Sequence, residues 1–166
     1  MTTSLHPADY ALLRKQMLAL LEDESDLIAN LANVSALLYQ ELRDVNWVGF
    51  YFRNAEGLVL GPFQGRPACV RIPWGVGVCG TSALKQKTFR IDDVHEFPGH
   101  IACDTASNAE LVIPLTVDGE VYAVLDIDSP VRARFSPADQ AGLELLVKAM
   151  LAELGPALRN YSAMDF

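Results

Sequence analysis

The run Glu110-Leu-Val-Ile-Pro-Leu-Thr-Val-Asp-Gly-Glu-Val-Tyr-Ala-Val-Leu-Asp-Ile-Asp128 decides the fold class. Two stretches rich in β-branched and apolar residues, 111–116 and 121–127, flank Asp118-Gly119, a strong signal for a tight antiparallel hairpin. Strict alternation along the second stretch puts Val121, Ala123, Leu125 and Ile127 on one face. Tyr122, Val124, Asp126 and Asp128 take the other. Two carboxylates at i and i+2 therefore point the same way at the strand's exit, beside the place where Glu110 enters its partner. The register decides whether Glu110 joins them. A two-residue turn at 118–119 sets Glu110 opposite Ile127, on the wrong face. A three-residue loop, Val117-Asp118-Gly119 with Gly119 left-handed, sets it opposite Asp126. Glycine suits that third position, so the sequence favours the second register.

Outward from this hairpin, residues 46–52 also alternate. Trp47, Gly49 and Tyr51 share one face, and Val48, Phe50 and Phe52 share the other. Asn54-Ala-Glu-Gly57 is a turn, and residues 58–63 return antiparallel. A short extended piece covers 68–72. Glycine-rich 73–80 reads as a loop feeding a short helix, with Thr81 or a neighbour near its start. Residues 89–91 are a brief strand, and 92–108 form a long irregular segment of the kind that usually carries function. Before the sheet, residues 8–22 and 26–43 recur at helical spacing, and Ser25 is placed to cap the second segment. No helix breaker separates them, so one bent helix is an alternative. At the far end Ser136-Pro137-Ala-Asp139 opens a last helix with an N-cap, a first-turn proline and a residue placed for a capping box. Gly155-Pro156 is expected to end it. The prediction is a single α+β domain over 1–166: an antiparallel sheet with terminal helices on one face and the 73–108 segment over a pocket on the other.

Composition narrows the function. The 166 residues carry a formal charge of −8, so nucleic acid is a poor partner. No run is long enough to cross a bilayer, and the N-terminus lacks a secretory pattern, so the cytoplasm is the expected location. Three cysteines without a Cys-x-x-Cys pair, and three histidines not grouped with them, argue against a structural disulfide framework and against zinc.

Three groups of residues carry chemistry. Glu110, Asp126 and Asp128, if clustered, repel one another, so at least one would hold a proton near neutral pH. The plainer alternative is that the two aspartates end an edge strand in solvent. Trp47 and Tyr51 form either core packing under a helix or a wall suited to a methyl, thioether or cationic group. Of the thiols, Cys103 sits in the small, polar stretch 99–110, where reactivity is more usual than structural burial. Cys69 follows Gly65 and Pro67, and Cys79 lies between glycines near a helix start that could stabilise a thiolate.

Taken together, Asn-Trp-Val-Gly-Phe-Tyr at 46–51, Leu-Gly-Pro-Phe-Gln-Gly at 60–65, Ala-Cys at 68–69, Gly-Val-Cys-Gly at 77–80, His-Ile-Ala-Cys-Asp at 100–104, Ser-Asn-Ala-Glu-Leu-Val at 107–112 and Leu-Asp-Ile-Asp-Ser at 125–129 closely resemble the free methionine-(R)-sulfoxide reductases, single GAF-domain enzymes. The resemblance runs from about residue 10 to about residue 155. It implies a six-stranded antiparallel sheet, Cys103 as catalytic thiol, Cys69 as resolving thiol and Cys79 as an auxiliary or alternative one. It also implies a substrate pocket of Trp47, Tyr51, Glu110, Asp126 and Asp128; a neutral carboxylic acid from the Glu110, Asp126, Asp128 cluster, with Glu110 and Asp128 taken as catalytic, could supply a proton to the substrate oxygen. The implied substrate is free methionine sulfoxide, with no cofactor or metal, an external dithiol such as thioredoxin as reductant, and a homodimer through the terminal helices. The rival expectation is a GAF-type module that senses a small ligand or redox state without turnover.

Overall fold

The computed structural model describes residues 7–100 and 105–162. In chain order the elements are α1 (Pro7–Leu21), α2 (Leu27–Glu41), β1 (Trp47–Arg53), β2 (Gly57–Gly65), β3 (Arg71–Pro73), α3 (Gly77–Lys85), β4 (Phe89–Ile91), β5 (Ala109–Val117), β6 (Glu120–Ser129) and α4 (Pro137–Ser162). A single 3-10 turn, Val94–Glu96, precedes β5, with Asp93 accepting from the His95 N–H as its cap. The six strands form one antiparallel sheet in the order β3-β2-β1-β6-β5-β4. Helices α1, α2 and α4 bury one face; their contacts include Met17, Leu31, Leu38, Leu146 and Met150 against Phe50, Leu111, Leu125 and Ile127. A smaller cluster, with Trp47, Tyr51, Ile72, Val78, Cys79, Val112 and Val124, lies on the opposite face under α3. The expected α+β architecture is the observed one, and the two faces of β1 are divided as its alternation predicts.

Several local expectations are corrected. The first two helices are separate: Asp23 adopts a left-handed φ of 63°, and Asp26, not Ser25, caps α2 by accepting from the Ala29 N–H. Helix α3 begins at Gly77, four residues before Thr81, so Cys79 lies in its first turn rather than in a loop. Helix α4 passes through Pro156 to Ser162. Packing beyond the proline holds it: Leu158 is buried, and the Tyr161 ring rests 4.7 Å from the Phe52 ring. The capping box at its start forms as expected. Ser136 Oγ accepts from the Asp139 N–H, while Asp139 Oδ2 accepts from the Ser136 N–H. Asp139 is fully buried and also takes Tyr10 Oη–H at 2.6 Å and Arg134 Nη1–H at 3.2 Å, which ties α1 and the β6–α4 connection to one carboxylate.

The central hairpin holds the most consequential correction. Its turn is the two-residue one: Val117 pairs with Glu120, and Asp118 and Gly119 both have positive φ, 51° and 82°. That turn alone would send Glu110 to the helix side. A bulge near Tyr122 shifts the register by one, however, so Thr116 faces Val121 but Leu115 faces Ala123. Glu110 lands opposite Asp128, and Val112 opposite Asp126. The bulge also exchanges two predicted faces: Val121 packs in the pocket-side cluster and Tyr122 in the helix-side core.

Candidate active site

On the face away from the long helices, three strands present side chains in rows. Trp47, Asp128 and Glu110 are paired across β1, β6 and β5, and Gly49, Asp126 and Val112 form the next row. Period-two alternation puts all of them on one face, where Trp47, Glu110, Asp126 and Asp128, with Tyr51, floor a cavity. Pro67 and Ala68, Ile72, the α3 start from Val76 to Cys79, His100 and Ser107 complete its lining. Its space, opening included, is about 560 Å³.

Glycines allow the indole to lie flat on this floor. A Cβ at Gly49 would stand 2.3 Å from Phe63 Cβ and 2.7 Å from Trp47 Cη2. At Gly65, where φ is 135°, it would stand 2.6 Å from Trp47 Cδ1. Trp47 stacks between Tyr51 and Phe63, with ring centroids 5.8 and 5.2 Å away. Both polar tips reach the segment before β3. Trp47 Nε1–H donates to the Arg66 carbonyl at 3.1 Å, and Tyr51 Oη–H donates to the Cys69 carbonyl at 2.9 Å. The two aromatics are thus at once core, cavity wall and anchors of the Cys69 segment.

The carboxylates are buried as well as clustered. Glu110 and Asp126 are each 6% exposed, and one oxygen of each lies within 4.8 Å of the other and of Cys79 Sγ. Burial first, then the Asp126 and Asp128 charges, push the Glu110 carboxyl well above the usual range. Burial raises Asp126 too, but the hydrogen bond that it accepts from Glu110 holds it down. The proton of this pair therefore resides on Glu110, which donates to Asp126. Asp126 Oδ1 is buried with no hydrogen-bond partner among the described residues, an acceptor left for a ligand. His100 Nε2 lies 4.0 Å from Glu110 Oε2, yet burial and neighbouring His95 lower the His100 pKa, so the contact is not an ion pair at neutral pH. Asp128 is only half-buried, at the end of the same row.

The cysteines separate into distinct environments. Cys79 is free, 4% exposed, and donates its S–H to Glu110 Oε1 at 3.8 Å. Burial and then the charges of Asp126 and Glu110 push its thiol up, so the thiolate expected from its place at a helix start does not form. Cys69 is half-buried and disulfide-bonded. Cys103 lies outside the described residues. Cys79, Glu110 and Asp126 are also the donors a divalent cation would need, but it would have to displace protons that burial keeps in place. Helix α3 has no side-chain cap, so its first N–H groups have no side-chain acceptor, and its first residues, Gly77, Val78 and Cys79, are among those that line the cavity.

The five predicted pocket residues, Trp47, Tyr51, Glu110, Asp126 and Asp128, are brought together. Sequence reasoning missed Gly49 and Gly65, whose lack of a Cβ seats the indole. It also missed His100 and Ser107, polar residues in a segment without periodicity.

The chain matches the GAF domain family over residues 17–154. It is 60% identical over 148 residues to protein YtsP of Bacillus subtilis, covering 86% of this chain and 91% of that one. It is 55% identical over 138 residues to the free methionine-R-sulfoxide reductase of Escherichia coli, with 83% and 84% covered. Among solved structures, the Neisseria meningitidis free methionine-R-sulfoxide reductase in complex with its substrate superposes with a TM-score of 0.87 at 40% identity, over 97% of this chain and 96% of that one.

Proposed function

The chain belongs to the GAF domain family and, within it, to the free methionine-R-sulfoxide reductases, and from that premise we propose that it reduces free L-methionine (R)-sulfoxide to L-methionine by thiol chemistry. The observation that carries the reading is the Glu110–Asp126 pair: two carboxyls buried together in the cavity beside Cys79, with one Asp126 oxygen still lacking a donor. A sulfoxide oxygen leaves sulfur only when protonated, and Glu110, whose carboxyl is pushed well up by burial, is the group placed to supply that proton. The unpartnered Asp126 oxygen, with half-buried Asp128 beside it, suits the substrate ammonium. The uncapped start of α3 suits its carboxylate. The Trp47 face suits the S-methyl group. A peptide-bound methionine lacks both free charges and leaves both ends of such a site unsatisfied.

In this mechanism the Cys103 thiolate attacks the sulfoxide sulfur, the oxygen passes to Cys103 as it takes up a proton, and methionine departs, leaving a sulfenic acid. The Cys69 thiol then displaces water from the sulfenic acid to give a disulfide. That Cys69 is disulfide-bonded while Cys79 is free supports the pairing with the remaining cysteine. A dithiol such as thioredoxin returns both sulfurs to thiols and is itself oxidised. Cys79 serves the acid rather than the exchange, as an S–H donor to Glu110.

The test is methionine formation from each epimer of free methionine sulfoxide and from a blocked, peptide-like sulfoxide, with a dithiol present. Only the free R epimer should turn over. Cys103→Ser should abolish activity, and Cys69→Ser should release one methionine per subunit and then recycle poorly with thioredoxin. Undiminished activity in Cys103→Ser would remove the mechanism, and no turnover by the wild type would favour a sensing module.

A further inference from the structure

From Gly57 to Ile91 the chain has no carboxylate, although it carries 21 acidic residues in all. Five of its 13 cations, Arg66, Arg71, Lys85, Lys87 and Arg90, fall in that span. Arg90 is held by the Phe135 carbonyl and Gln140, far along the sheet from β3, and Lys87 lies over the Phe89 ring. Arg66 and Arg71 differ. They stand three residues before and two after Cys69, both are exposed, and neither side chain makes an ion pair or hydrogen bond with the described residues.

Apolar side chains lie between and beside them. Val70, next to Cys69, is 58% exposed, and Pro67 is exposed as well. Val76 is exposed, and Pro67 and Ala68 share a cavity lining with it, so the Cys69 segment and the start of α3 meet at the cavity rim. The backbone there is not free to collapse onto these groups: the Arg66 and Cys69 carbonyls are held by Trp47 and Tyr51, and the Val70 carbonyl accepts from the Leu60 N–H. Cys69, half-buried and disulfide-bonded, thus stands between two exposed cations and beside exposed apolar groups on a protein whose net charge is −8.

We propose that Arg66, Pro67, Val70, Arg71 and Val76 form the docking surface for the reductant, a protein dithiol with an acidic and small-apolar face around its thiols. The inference rests on the reductase reading and adds to it where the recycling partner binds and by what chemistry. A small dithiol needs none of these groups to reach a disulfide, whereas a protein must lay a face against them. An acidic partner would be repelled by most of this molecule and drawn to this span, which orients the encounter. In the docked pair the partner's thiolate attacks Cys69 Sγ in line with the S–S bond. A mixed disulfide forms at Cys69, and the sulfur that was bound to it leaves as thiolate and takes a proton. The partner's second thiol then attacks the mixed disulfide, Cys69 leaves as thiol, and the partner departs as a disulfide, oxidised by two electrons.

The experiment compares turnover of free methionine (R)-sulfoxide driven by thioredoxin, with thioredoxin reductase and NADPH, against turnover driven by dithiothreitol. The proteins are wild type, Arg66→Glu/Arg71→Glu, Val70→Asp, and Lys148→Glu as an exposed control with the same sign of charge change elsewhere. At low salt the double reversal should lower kcat/KM for thioredoxin about tenfold and leave dithiothreitol-driven turnover unchanged. Val70→Asp should act in the same direction, and Lys148→Glu should behave as wild type. Raising salt from about 20 to about 300 mM should slow the wild type with thioredoxin but not the double variant. An equal loss in Lys148→Glu, no loss in the double reversal, or turnover with dithiothreitol but none with thioredoxin would overturn the inference. Absence of turnover with either reductant would instead overturn the reductase reading beneath it.

Discussion

Replacing Glu110 by glutamine should make the folded protein more stable above neutral pH while removing most of its activity. Burial and the neighbouring aspartates hold the Glu110 carboxyl well above its value of about 4.3 in an unfolded chain. A raised folded pKa means that the folded state binds the extra proton. Its stabilisation is complete below the unfolded value and is lost as pH rises toward the folded one. Through that window each pH unit costs about 1.4 kcal/mol for the one proton. For a chain of this size each such pH unit lowers Tm by roughly 3–6 °C. Glutamine keeps the shape and an N–H donor toward Asp126 but has nothing to ionise. Wild type and Glu110→Gln should therefore melt at similar temperatures near pH 4.5 and diverge as pH rises, with the variant the more stable. The melting series must be run on both proteins in the same disulfide state. Loss of the acid should lower kcat by about 10²–10⁴. Parallel melting curves from pH 5 to 8, or a variant less stable at pH 8, would refute the claim that Glu110 stays protonated in its burial site.

Other consequences can be checked separately. Cys79, buried with its thiol pushed up, should resist iodoacetamide at pH 8 in the native protein and react at once after unfolding, as mass mapping of the labelled cysteine would report. Tyr51→Phe removes the donor to the Cys69 carbonyl. It should cost about 1 kcal/mol in denaturant unfolding and slow disulfide closure while sparing the first methionine released in a quench experiment. Gly49→Ala forces a methyl against Phe63 and the indole. It should destabilise the fold by about 1–3 kcal/mol and raise KM for the sulfoxide by displacing Trp47.

What was legible in the sequence follows from period and from local chemistry. The faces of β1, and the pairing of Asp126 with Asp128, are set by alternation alone. The α4 start is written in Ser136 and Asp139, which satisfy one another without help from the rest of the chain. The failures lie where tertiary contacts outvote local ones. Gly119 suited a three-residue loop, but Asp118 tolerates a positive φ, and the bulge near Tyr122 restored the parity that the shorter turn took away. Pro156 should stop a helix, yet Leu158 and Tyr161 find partners beyond it. Cys79 looked activated by a helix start because nothing local shows that two carboxylates from distant strands come to meet it.

The hydrogen bonds from the indole and the phenol grip both ends of the short span from Arg66 to Cys69. That span is a splint, not a hinge. Its main chain is held at Arg66 and again at Cys69, so a change at either aromatic ring is felt along the whole span. Trp47 and Tyr51 therefore serve two neighbours at once: they wall the cavity with their faces and tether the Cys69 segment with their tips, so the shape of the one cannot be altered without loosening the other.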